Sequence, residues 1–133
     1  MESKIVAKEI VKEKIVREIE LENNQTLVIS DWSRKVSEDA YVVIMKANMD
    51  IKIKKDLFSD EPLSEFKFED ILATLGGNAM YEYRVERNFI MDHEKDDVFD
   101  ALVKTFLDNL GKYVANSKFP GKFILKAYKD KNK

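Results

Sequence analysis

His93 is the one histidine among the 133 residues, and the chain contains no cysteine. Any imidazole acid–base chemistry must therefore pass through this single side chain. It stands in Asp92-His-Glu-Lys-Asp-Asp97, where Asp92, His93 and Asp96 offer the oxygen and nitrogen donors that a divalent cation can take. The spacing matches neither an EF-hand loop nor a His-Glu-x-x-His helix. A helix start accounts for the same residues without a metal. Asp92 would be the N-cap, its carboxylate accepting a free backbone N–H, and the following acids would answer the positive end of the helix dipole. The expectation is a cap, with no metal and no cofactor; Asp92, His93 and Asp96 form the weaker metal alternative.

Trp32, Arg34, Tyr81 and Tyr83 are the second group with chemical potential. Aromatic rings beside a guanidinium can make a platform for a cationic, anionic or planar ligand. The competing role is ordinary packing, because tryptophan and tyrosine in strands mostly bury their rings. Gly76-Gly77 could form a backbone nest for phosphate, but it closes a helical stretch instead of opening one, and so reads as a helix stop. With 25 acidic residues, no carboxylate pair for hydrolysis can be singled out from spacing alone. Single-stranded RNA readers present exposed aromatics beside basic residues. The best aromatic strand here carries Glu82 and Glu86 on its polar side, which counts against nucleic acid.

The elements that position these groups follow from periodicity. Residues 80–91 alternate: Tyr81, Tyr83, Val85 and Phe89 fall on one side, and Glu82, Arg84, Glu86 and Asn88 on the other, the pattern of a half-buried strand. Arg87 breaks the apolar side. Residues 94–114 repeat at helical spacing through Val98, Leu102, Val103, Phe106, Leu107, Leu110, Tyr113 and Val114. Phe68, Ile71, Leu72 and Leu75 mark a shorter helix.

The remaining segments read as strands. Ala40 onward to Lys54 is the clearest, with Tyr41, Val43, Met45, Ala47, Met49, Ile51 and Ile53 on one side. Residues 26–36 form a second strand after the turn Glu22-Asn-Asn-Gln25, and a first begins at about Val11. Residues 122–129 read as a last strand with Phe123, Leu125 and Ala127 on one side. An acidic connector holding Pro62 separates the third strand from the first helix. The expected fold is α+β: an antiparallel sheet of four or five strands, in the order βββ-α-β-α-β, with two helices on one face.

Composition bounds the rest. A hydrophobic share of 44% with 36% charged residues suits one globular domain over residues 1–133, ending in a basic stretch at about 129–133. Without cysteine there is no disulfide framework and no thiolate metal site, so a reducing, cytoplasmic setting is expected. No apolar run is long enough to span a bilayer, and no membrane insertion is expected. Val42 and Ile44 point away from the clean face of their strand, as do Val6, Ile10 and Val16 in the first. Two apolar faces need two partners. A homodimer through a strand edge or a sheet face is therefore expected, with another protein as a further possible partner. The function that fits is a non-catalytic protein–protein interaction or accessory module. The alternative is a small-molecule-binding or hydrolytic domain with a pocket between sheet and helices.

Overall fold

Thirteen consecutive residues, Ala40–Lys52, form the strand on which everything else is laid (β4). In the computed structural model, which describes residues 14–58 and 67–132, β4 is paired along both flanks. On one flank lie β2 (Thr26–Asp31) and β3 (Arg34–Ser37); β1 (Lys14–Glu20) pairs the far side of β2. On the other flank lies β5 (Asn78–Met91), in register with β4 from Lys52↔Asn78 to Ala40↔Met91. All pairings are antiparallel. Three α-helices, α1 (Phe68–Leu75), α2 (Lys95–Ala115) and α3 (Phe119–Lys131), complete the described structure, with 3-10 turns at Lys55–Phe58 and Asp92–Glu94. The fold is α+β, with a five-stranded antiparallel sheet.

The period-two pattern of β4 does what it predicts. Val43, Met45, Ala47, Met49 and Ile51 are all fully buried and share a core with Leu27 and Ile29 of β2. Phe99, Leu102, Val103, Phe106 and Val114 of α2, Ile71 of α1 and Phe119 and Ile124 of α3 close that core from the helix side. All three helices therefore cover one face of the sheet. Burial of this many aliphatic and aromatic side chains, each contributing ~1.5–3 kcal/mol, is the main stabilising term.

Two expectations need correcting. The last segment is a helix, not a strand. Pro120 occupies its first turn, where a missing N–H costs nothing. Pro120, Phe123, Ile124, Ala127 and Tyr128 recur at helical spacing and are all buried or half-buried, as are Phe119, Gly121 and Leu125; the alternation of Phe123, Leu125 and Ala127 is the weaker of two overlapping patterns. The second strand is also broken. After Asp31 the chain turns at Trp32-Ser33, where the Asp31 carboxylate accepts the Ser33 N–H at 2.8 Å and the Ser33 hydroxyl accepts the Ile44 N–H at 2.9 Å. A side-chain oxygen thus fills the gap in the ladder between β2 and β3. The onset expected near Val11 lies outside the described residues.

The corners are held by named contacts. Asn24 takes a positive φ of 70° in the β1–β2 turn, as short polar residues can. Beside it Asn23 Nδ2 donates to the carbonyls of Val114 at 2.8 Å and Asn116 at 2.9 Å, filling acceptors that the end of α2 leaves open. Gly76 stops α1 with φ 84°. At the start of α3, Gly121 lies against the 3-10 turn so closely that a β-carbon there would stand 2.5 Å from the Leu57 carbonyl oxygen.

Candidate functional surface

The four residues expected to form a platform lie on opposite faces of the sheet. Tyr81 and Tyr83 face the helices. The Tyr81 ring meets Phe119 edge-on at 5.5 Å and Phe123 at 5.8 Å, and Tyr83 lies 4.8 Å from Phe106. Burial pushes the Tyr81 phenol up from its ordinary range, and the neighbouring Tyr113 and Tyr83 add to the effect. Trp32 and Arg34 belong to the other face, since Arg34 pairs with Val42 and Trp32 donates its N–H to the Ile44 carbonyl. The thickness of the sheet separates the two pairs.

On that helix-free face the polar side chains form a chain of contacts. The Trp32 indole N–H donates to the Ser30 hydroxyl at 3.0 Å. The Lys46 ammonium lies 4.1 Å from the centre of the indole ring and 3.4 Å from a Glu82 carboxylate oxygen. Beside Glu82 on β4, the Asn48 amide oxygen is buried and accepts no hydrogen bond. Lys46 is thus held between an aromatic ring and a carboxylate. Val42 and Ile44, expected to need an outside cover, are 5% and 4% exposed within the single chain. Val16 falls at a bulge in β1 and is half exposed; Val6 and Ile10 lie outside the described residues.

The start of α2 also departs from expectation. Asp92 opens a 3-10 turn with no side-chain capping bond, and none caps α2 either. The Asp92 backbone N–H goes to the Asp39 carbonyl at 2.9 Å, one step beyond the Ala40↔Met91 pair of the sheet. Lys95 donates to Asp96 at 3.1 Å and lies 5.3 Å from the Tyr41 ring. Its hydrogen bond to Asp96 raises the ammonium's pKa, partly opposed by desolvation. Among the described residues, no three of His, Cys, Asp and Glu converge as a metal site would need, Asp92, His93 and Asp96 included.

The space between sheet and helices is filled by Phe106, Met45, Met49, Ile51 and Ile124. Open grooves lie at its margins. One of about 640 Å³ runs beside the end of α2 from Glu22 to Ser117, and another of about 320 Å³ lies between Val16-Arg17 of β1 and α2. Glu22, Lys112 and Ser117 are among the residues lining the first, and Arg17, Asp100, Lys104 and Asp108 among those lining the second.

The outer edge of β5 is the feature the alternation did not announce. Among the described residues β5 pairs with β4 alone. Its ladder is interrupted where Val43↔Arg87 passes to Tyr41↔Ile90, leaving an extra residue on β5. There Phe89 takes φ 55°, a conformation that costs a bulky L-residue free energy, and its side chain is 79% exposed. Counted by twos, Phe89 belongs to the core side. The bulge turns it out, and the one trace in the sequence is Arg87-Asn88 interrupting the apolar alternation.

Comparison with family models, with curated proteins and with solved structures finds no match. No described helix is long and apolar enough to cross a membrane.

Proposed function

We propose that this chain is a non-catalytic interaction module that assembles with itself through the free edge of β5. The observation that carries the reading is that edge: fourteen residues of strand with neighbours on one side only among the described residues. Unpaired strand edges recruit further strands, and proteins that avoid this use short edges, charged side chains (lysine above all), prolines or bulges. The opposite edge, β1, follows that rule: it is half as long and carries Lys14, Arg17, Glu18 and Glu20. β5 carries Glu82, Arg84, Glu86 and Arg87 and a bulge near one end, but it has neither lysine nor proline, and it exposes Met80, Phe89 and Met91 along its length. The cysteine-free composition supports a reducing cytoplasmic setting. The filled space beneath the sheet supports binding over catalysis.

Sedimentation equilibrium and light scattering of the full chain test the proposal. The expected result is a dimer at micromolar concentration, dissociating on dilution. A monomer mass up to millimolar concentration would remove the reading.

A further inference from the structure

We infer that two copies pair β5 to β5, antiparallel, about a two-fold axis through Tyr83. The inference rests on the self-association proposed above and adds its register.

The geometry leaves few choices. A two-fold axis perpendicular to the sheet keeps each side chain on its own face, so facing residues must share a face. The axis then passes through a residue and not between two. The bulge at Asn88-Phe89 ends the regular ladder, which limits the straight part of the edge to residues 78–87. Its middle falls between Glu82 and Tyr83, with Arg84 the next residue along.

Charge selects among these. Glu82, Arg84 and Glu86 alternate in sign on the helix-free face and are exposed; within one chain Glu82 reaches Lys46 at 3.4 Å and Arg84 reaches Glu86 at 2.9 Å, pairs that a facing copy would share or exchange. An axis through Arg84 sets arginine against arginine and Glu82 against Glu86. An axis through Glu82 sets glutamate against glutamate. Like charges directly opposite destabilise a sheet. With the axis at Tyr83, Glu82 of each copy faces Arg84 of the other, twice. On the helix side Tyr81 then faces Val85 and Tyr83 faces its own mate, aromatic and β-branched pairs that sheets favour. An axis at Val85 also opposes unlike charges, but it runs into the bulge after two residues on either side. In the Tyr83 register residues 79–87 of both strands are paired, and Phe89 passes beyond the last pair toward Gly77 of the other copy, where a β-carbon would meet nothing within 4 Å.

Because the chain has no cysteine, single cysteines can be introduced and spin-labelled at Met80, Glu82, Arg84 and Glu86, all exposed, one at a time in the full chain. Each residue of displacement from the axis separates symmetry mates by ~6.6 Å, twice the strand rise. The expected signature is equal short distances at 82 and 84, and equal longer ones at 80 and 86. Charge supplies the second test. Arg84→Glu and Glu82→Arg should each weaken dimerisation roughly ten-fold, and the double swap should restore it. A dimer whose shortest distance lies elsewhere, or whose double swap fails to recover, overturns the register and leaves self-association standing. A monomeric unmodified chain overturns both.

Discussion

The Ser30 hydroxyl, 2% exposed, accepts its hydrogen bond from the Trp32 indole two residues on, 3.0 Å away. A buried hydroxyl next to the break between β2 and β3 is thus satisfied by a side chain of its own segment. Removing the indole N–H leaves it unpaired, at a cost of about 1–3 kcal/mol. Trp32→Phe should lower stability by about that amount in urea melts. Ser30→Ala in the same background should recover part of it, because the orphaned group is then gone. Full additivity of the two losses would show that the bond contributes nothing.

Two helical glycines should respond with opposite sign. At Gly121 a β-carbon meets the Leu57 carbonyl oxygen at 2.5 Å, while at Gly111 it meets Leu107 Cβ at 4.0 Å. Alanine gains ~1 kcal/mol of helix propensity at either site. Overpacking costs ~1–3 kcal/mol, and only at Gly121. Gly111→Ala should raise the melting temperature and Gly121→Ala should lower it.

Phe89 should invert the usual order of strand residues. In most strand positions alanine is better than glycine by ~0.5–1 kcal/mol. At φ 55° a β-carbon costs ~1–2 kcal/mol. Phe89→Gly should therefore be more stable than Phe89→Ala in chemical denaturation. The reverse order would mean that the bulge is not held in that conformation.

Tyr81 makes the fold sensitive to alkali. Burial raises its phenol pKa in the folded chain, while the unfolded chain ionises near the ordinary value of about 10. Below that value both states hold the proton and stability is unaffected. As pH rises through the window above it, the unfolded state releases its proton first and stability falls. Melts across this range should show a shallower decline for Tyr81→Phe than for the parent chain.

The sheet and the long helix were legible because their patterns are unmixed. β4 keeps one parity from Tyr41 to Ile51, and α2 keeps one stripe from Val98 to Val114. The last element was misread because Phe123, Leu125 and Ala127 fit a strand while Pro120, Phe123, Ile124 and Ala127 fit a helix, and only packing against α1 and β5 decides between them. The candidate surface was less legible. Trp32 and Tyr83 differ in parity relative to their β4 partners, and without the register Ala47↔Tyr83 nothing in the sequence shows that the sheet lies between them. Phe89 was hidden for a related reason, since one bulge residue moves a side chain out of the face that counting by twos assigns.

Asn23 joins segments that are far apart along the chain, a turn of the first hairpin and the carbonyls at the end of α2. If the hairpin peels away, those carbonyls lose their donors, and if α2 frays, the turn loses its anchor. The two should therefore open as one cooperative unit. In native-state hydrogen exchange, the amides of β1 and of the last turn of α2 should share a single opening free energy, and Asn23→Ala should split it into two.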